Sequence, residues 1–137
     1  MASDKTETIN QIFDLARYLN SNRLDTTLTM IQLRTVMYIS EHNKVKPTEI
    51  AKNFMITPAS VTSQIDTLVE RGWIERVFNQ NDKRVIEVKL TQKGAKLLPK
   101  EIEKLNESCS WIFKSLNSTE QNTLLELIKK INNSRIV

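Results

Sequence analysis

The sequence predicts a mainly helical protein that carries a small antiparallel β-hairpin, of two or three strands, in its middle. Apolar residues recur at spacings of three and four along most of the chain, as in helices with one buried face. Only between Trp73 and Leu90 does the spacing change to two, which is typical of paired strands. The 137 residues contain two glycines and no linker-like stretch, so we expect a single domain over residues 1–137.

Two helices are predicted before residue 44. The first covers about residues 4–20, with one apolar stripe formed by Ile9, Ile12, Phe13, Ala16 and Leu19. The second begins at Thr29, whose spacing to Gln32 fits a capping box, and it ends near His42.

A third helix is predicted from Pro47 to Phe54 and a fourth from Thr57 to Gly72. In both, a proline falls in the first turn, where its missing N–H would have no helical partner anyway. Thr57 precedes Pro58 and supplies a capping oxygen. Two short helices joined by so few residues are typical of a helix-turn-helix.

The hairpin follows the fourth helix directly. Its strands are predicted at Trp73–Phe78 and Val85–Leu90, and the polar segment Asn79–Lys83 between them is the exposed loop. We call the hairpin, residues 73–90, the wing, and residues 79–85 the wing tip. Together with the two preceding helices it predicts a winged helix-turn-helix.

Two more helices are predicted after the wing. Thr91 caps a long fifth helix with a nearly heptad apolar seam, formed by Leu98, Ile102, Leu105, Cys109, Ile112 and Leu116. Pro99 is expected to kink or interrupt it. Ser118 and Gln121 are predicted to cap the last helix, which has its own apolar stripe of Leu124, Leu125, Ile128 and Ile131.

The positive charge of the chain is concentrated in this middle region. The net charge is +4, and the segment from Lys44 to Lys96 holds ten basic and six acidic residues, whereas the rest of the chain holds ten of each. Such a distribution favours contact with a phosphate backbone, although a solvated charged face would give the same count. We therefore expect residues 29–96 to form the DNA-binding part, with residues 1–28 and 97–137 as a helical dimerisation part.

Five polar residues at the start of the fourth helix are the candidate DNA contacts: Thr57, Ser60, Thr62, Ser63 and Gln64. Gln64 has the groups to bond an adenine edge at two points, while serine and threonine bond either bases or phosphates. The alternative, that these side chains only solvate an exposed helix face, stays open.

The wing adds three candidate contacts, Asp82, Lys83 and Arg84. The spacing of Asp82 and Arg84 allows an ion pair that limits the rotamers of the arginine before it enters a minor groove. As a source of stability, an exposed pair of this kind contributes under about 1 kcal/mol, so positioning is the better explanation. Lys83 is expected to contact phosphate.

Three segments, in this order, resemble those of a known family: KPTEIA at 46–51, TPASVTSQIDTLVERGWI at 57–74 and NDKRVIEVKLTQKG at 81–94. By them the chain resembles the MarR-type winged-helix transcription regulators over nearly its whole length. The resemblance implies that the fourth helix enters a major groove and that Arg84, supported by Asp82, reaches the minor groove. It also implies a homodimer, joined through the first and the last two helices, on a pseudo-palindromic duplex.

In many members of that family a small aromatic ligand binds between the dimerisation helices and the winged part. The resemblance thus makes five residues candidates for a ligand pocket, unless they are plain core: Phe13, Tyr18, Met30, Tyr38 and Trp111. Cys109 lies on an apolar stripe, so a core thiol is favoured over a redox switch.

The residues give no indication of catalysis, of a metal site or of a cofactor. His42 has no partner at metal-site spacing and is expected to sit at a helix C-terminus, and no glycine-rich phosphate loop occurs. One cysteine, a polar start and no long apolar run favour a cytoplasmic protein without a membrane segment.

The sequence therefore predicts a double-stranded DNA-binding transcription regulator, acting as a homodimeric repressor and open to control by a ligand. The alternative is a winged-helix module that binds protein without touching DNA. Such a module should expose apolar anchors on the fourth helix or the wing.

Overall fold

The computed structural model describes residues 4–21 and 25–135, which form seven helices and one two-stranded sheet. In chain order these are α1 (Asp4–Leu19), α2 (Met30–His42), α3 (Pro47–Phe54), α4 (Pro58–Glu70), β1 (Ile74–Phe78), β2 (Ile86–Leu90), α5 (Gln92–Ser108), α6 (Ser110–Lys114) and α7 (Ser118–Asn133). The predicted mainly helical fold with a small antiparallel sheet is confirmed. Parts of the predicted dimerisation segments, residues 1–3, 22–24 and 136–137, lie outside the described residues.

The sheet consists of β1 and β2, paired antiparallel from Ile74 opposite Leu90 to Phe78 opposite Ile86. Val45, just before α3, forms a single bridge to Val88 through two backbone hydrogen bonds of 3.0 and 2.8 Å. The wing thus has two strands, and the bridge from Val45 adds a single residue to the sheet beside β2. This bridge connects the base of the wing to the helix-turn-helix.

Side-chain caps fix the starts of α2 and α4 as predicted. The Thr29 hydroxyl accepts from the Gln32 backbone N–H at 3.3 Å, and the Gln32 side chain accepts from the Thr29 N–H at 3.1 Å. The Thr57 hydroxyl accepts from the Ser60 N–H at 3.1 Å. Each cap satisfies amide groups that a helix leaves without partners at its N-terminus.

Two details of the last helices differ from the predictions. The fifth helix runs through Pro99 without interruption and ends at Ser108, whereas it was expected to continue to Leu116. The break falls within Ser108–Ser110, where serine and cysteine favour a helix less than the residues before them do. The cap of α7 is Asn117 in a capping box with Glu120, in place of the predicted Ser118 and Gln121, because the helix starts one residue earlier.

The apolar core lies entirely between residues 28 and 98. Its members are Leu28, Leu33, Val36, Ile39, Val45, Ile50, Val61, Ile65, Leu68, Trp73, Ile74, Val88 and Leu98. In contrast, α1, α6 and α7 bury no residue among those described. The first half of the predicted seam, Leu98 with Ile102 and Leu105, packs on this core.

The start of α5 is held against the segment just before β1 by a close backbone contact. A Cβ atom at Gly94 would lie 2.1 Å from the carbonyl oxygen of Trp73, so a glycine is required there. The Thr91 backbone N–H donates to that same oxygen at 3.1 Å.

Further along, α5 is fastened to the segment that precedes α2. The buried carboxylate of Glu101 accepts from the backbone N–H groups of Thr27 and Leu28 at 3.0 to 3.2 Å, and Lys104 lies 3.5 Å from it. Burial by itself raises the pKa of Glu101, but the hydrogen bonds and the charge of Lys104 outweigh burial and hold the pKa below its usual range.

No helix among the described residues is long and apolar enough to span a membrane.

Replacement of Gly94 by alanine should destabilise the fold by roughly 1 to 3 kcal/mol, since the added methyl group collides with a backbone oxygen that cannot move alone. Urea denaturation measures the loss. Gly72→Ala serves as a comparison in which the loss comes from the backbone strain at a φ of +80°, because the nearest atoms there belong to the flexible Lys93 side chain at 3.3 Å. A Gly94 variant as stable as wild type would contradict the contact.

Glu101→Gln should lower stability at neutral pH by about 1.5 to 3 kcal/mol, because the ionised acceptor of two backbone N–H groups is lost. The lowered pKa means that this advantage of wild type is complete above the usual glutamate range. It disappears as the pH falls through the pKa of Glu101. Denaturation at several pH values checks this, with the exposed Glu103→Gln as control. An advantage that grows toward acid pH would contradict it.

Candidate nucleic-acid interface

The N-terminal turn of α4 presents polar side chains to solvent while its other side is anchored in the core. Val61, Ile65 and Leu68 are buried. Thr57, Thr62 and Ser63 are exposed, and Ser60 and Gln64 are half-buried. The spacing of three and four between the buried residues thus leaves all five predicted contacts on the accessible part of the helix.

Two of these hydroxyl groups already have structural partners. Thr57 accepts the capping bond described above, and the Thr62 hydroxyl donates to the Pro58 carbonyl oxygen at 3.0 Å. Within the described part of the chain, the side chains of Ser63 and Gln64 make no hydrogen bond. They are therefore available to a ligand without breaking an existing contact.

An ion pair that the sequence did not predict joins α4 to the wing. The Arg76 guanidinium on β1 donates to the Asp66 carboxylate on α4. The sequence gives only a weak indication of this ion pair, because its two residues are ten positions apart on either side of a turn. The pair holds the first strand of the wing alongside the second half of α4.

The wing tip is ordered by the side chain of Asn79. Its amide oxygen accepts from the backbone N–H groups of Asn81 and Asp82 at 2.8 and 3.2 Å, and its amide nitrogen donates to Glu87 at 3.0 Å. Asparagine commonly forms such bonds to residues just ahead of it in turns. Asn79 was predicted only as the first residue of the loop, so its organising role is a finding of the structure.

Asp82 holds Arg84 in the predicted ion pair, and it does so through three hydrogen bonds. One carboxylate oxygen accepts from the backbone N–H and Nε of Arg84 at 3.0 and 3.1 Å, and the other accepts from the guanidinium at 3.3 Å. The side-chain bond, with the backbone bond after it, lowers the pKa of Asp82. The arginine side chain is nevertheless 91% exposed, so it is oriented but accessible. Lys83, the neighbouring cation, is also exposed.

The five candidates for a ligand pocket have different surroundings in the structure. Tyr18 and Trp111 meet edge to face, with ring centroids 5.1 Å apart. Tyr38 instead stacks on His42 at 4.0 Å. Phe13 is 67% exposed on α1, and Met30 borders a cleft beside the end of α1 and the segment before α2.

The remaining candidates behave as side chains with structural roles. His42 is the last residue of α2, and its Nδ1 lies 2.8 Å from the Tyr38 carbonyl oxygen. Cys109 is half-buried at the junction of α5 and α6, where burial raises the pKa of the thiol. Over residues 4–21 and 25–135, no group of three or more His, Cys, Asp or Glu side chains is placed to bind a metal ion.

Comparison with known proteins gives consistent matches. A model described as the MarR family matches residues 28–86. The chain is 32% identical to the multiple antibiotic resistance protein MarR of Salmonella typhimurium, over 90% of this chain and 85% of that protein. It is 29% identical to an uncharacterised HTH-type transcriptional regulator of Bacillus subtilis, YpoP, over 98% and 96% of the two chains.

Solved structures agree with this. A mutant MarR from E. coli in complex with operator DNA is 31% identical, with a TM-score of 0.70 over 92% of this chain and 89% of that one. The transcriptional regulator BldR of Sulfolobus solfataricus has a TM-score of 0.82 at 24% identity, over 98% of this chain and all of that one. That likeness supports the fold alone.

Proposed function

This chain belongs to the MarR family, and from that premise we propose that it is a homodimeric repressor that binds a pseudo-palindromic DNA operator through α4 and the wing. Members of this family are DNA-binding transcription regulators and not enzymes, and this chain is one of them.

The observation that carries the proposal is the pairing of an accessible recognition helix with an oriented arginine beside it. The ion pair from Arg76 to Asp66 links the wing to α4, and the Asp82 contacts orient Arg84 while leaving it exposed. An α-helix fits a major groove about 12 Å wide. An arginine on the adjoining wing then meets the neighbouring minor groove, whose negative potential attracts it.

Apolar side chains on the terminal helices support the homodimer. On α1 these are Ile9, Ile12, Phe13 and Leu15, and on α6 and α7 they are Trp111, Phe113, Leu125, Leu127, Ile128 and Ile131, all at least 40% exposed. Exposed apolar faces of this extent mark interaction sites. A second copy related by a two-fold axis covers the same faces on both chains, and this would double the DNA-binding surface.

Within this proposal, residues 29–96 bind DNA and residues 1–28 and 97–137 join the two copies. Because its DNA target would lie in the cytoplasm, we propose that the protein is cytoplasmic. Repression then follows from occupation of the duplex that polymerase needs. For a small aromatic ligand, the contact of Tyr18 with Trp111 is the better-supported part of the candidate pocket, because it joins α1 to α6.

One observation favours the rival function, a winged-helix module that docks on protein. Phe78 and Ile86, on the wing, are 68% and 40% exposed, and exposed apolar anchors there are what the rival requires. Two observations count against the rival. The cations Lys83 and Arg84 are exposed beside these apolar side chains, and on α4 the side chains of Ser63 and Gln64 make no hydrogen bond among the described residues.

Selection of bound duplexes from a random pool tests the proposal directly. We expect an inverted repeat whose half-sites are about 10 base pairs apart, centre to centre, as two recognition helices on one face of a duplex require. A single unrepeated half-site would contradict the symmetric dimer. Recovery of no sequence preference would contradict operator recognition.

Arg84→Ala should weaken binding to the selected duplex by roughly 1 to 3 kcal/mol without loss of fold, because it removes one groove contact from an exposed position. Arg84→Lys keeps the charge but loses the planar fork, so we expect an intermediate affinity. Titration by fluorescence anisotropy measures both. An Arg84→Ala protein that binds as tightly as wild type would rule out the assigned role.

Salt separates DNA binding from protein docking. If six or more phosphates are neutralised, affinity for the duplex should fall by about 1,000-fold or more between 50 and 200 mM salt. The same anisotropy titration, repeated at several salt concentrations, gives the slope. A flat response would favour the rival.

A further inference from the structure

The wing carries an apolar pair that the core does not use. Phe78, the last residue of β1, is opposite Ile86, the first residue of β2. Their exposed fractions are 68% and 40%, so neither gains much burial from the other. A cross-strand pair of this kind contributes only about 0.2 to 1 kcal/mol to the stability of a hairpin. Hairpin stability therefore does not account for a phenylalanine ring that is mostly exposed to solvent. We call these two side chains the Phe78–Ile86 patch.

The strand register shows which way the patch faces. Side chains alternate along a strand, so Phe78 is on the same face of the sheet as Ile74 and Arg76. Ile74 is buried in the core, and Arg76 bonds Asp66 of α4. Phe78 therefore lies on the face turned toward the recognition helix, about 6 to 7 Å farther along the strand than Arg76.

The exposed cations beside the patch are Lys83 and Arg84. Asp66 is paired with Arg76 and Asp82 with Arg84, so each of these two carboxylates already has a cationic partner. Lys83 borders the same shallow depression as Phe78, and Arg84 is 91% exposed. The surface thus offers an apolar ring beside two exposed cations, of which Arg84 is paired with Asp82 and Lys83, among the described residues, is in no ion pair.

A nucleic-acid strand presents the complementary pattern. Each deoxyribose has an apolar ring face and is flanked by phosphates, and much of the contact in protein–DNA complexes goes to sugar and phosphate. A protein partner would fit the ring but would have to desolvate the neighbouring cations unless it supplied acidic groups.

We infer that the Phe78–Ile86 patch packs on a deoxyribose of the DNA strand that separates the major groove occupied by α4 from the minor groove reached by Arg84. Ile86 supports the ring from the opposite strand, and Lys83 neutralises an adjacent phosphate. The patch sets the spacing between the two groove contacts. This inference rests on the proposed function of α4 and the wing as the DNA-binding surface.

The test uses the full-length protein and a duplex that wild type selects from a random pool. Phe78→Ala should weaken binding by about 3- to 30-fold, since an apolar contact is lost. The slope of log affinity against log salt should not change, because no charge is removed. Hydroxyl-radical footprinting, which cleaves at exposed deoxyribose, should show protection lost at the sugars between the two grooves.

Two further variants keep the result specific. Val77→Ala alters the neighbouring position on the opposite face of β1 and should bind as wild type does. Phe78→Leu keeps an apolar but smaller side chain and should fall between wild type and alanine. Because Phe78 is largely exposed, thermal unfolding of the two Phe78 variants should remain close to that of wild type.

Each contrary outcome has a definite meaning. If wild type selects a duplex but Phe78→Ala binds it with unchanged affinity and footprint, the inference is overturned, and a protein partner becomes the better occupant. Equal weakening by Val77→Ala also overturns it, since a loosened wing would then explain the effect. If wild type selects no duplex, the proposed function fails and the inference fails with it.

Discussion

Burial of one apolar core between residues 28 and 98 is the constraint on which the rest of the structure depends. Because α4 contributes Val61, Ile65 and Leu68 to that core, its rotation about its own axis is fixed. The same burial leaves its polar residues accessible at the N-terminal end. Val88 and Ile74 anchor the base of the wing in the same core, so α4 and the wing share one base.

The core also explains how α5 is connected to the winged helix-turn-helix. Gly94 allows the start of α5 to approach the Trp73 carbonyl oxygen, and Glu101 binds the backbone just before α2. Both contacts join α5 to the base of the winged part.

Much of the site was predictable because its signals are local. The cap at Thr57, the proline after it and the pair of Asp82 with Arg84 each depend on residues within a few positions of one another. The sequence prediction was wrong in continuing the fifth helix to Leu116 and in capping the last helix with Ser118 and Gln121. In both places competing local signals lie one or a few residues apart. The pair of Arg76 with Asp66 and the role of Asn79 were missed, since both depend on how the hairpin folds back.

The sequence by itself determined the order of the elements, the helix starts and the identity of the groups offered to a duplex, because periodicity, caps and residue chemistry act over one or two turns. Only the tertiary structure decided which apolar residues stay uncovered. The stripes of α1 and α7 and the ring of Phe78 look like core in the sequence, yet they remain exposed because the single core is already complete without them. Burial is a property of the whole packed chain, and no local pattern specifies it.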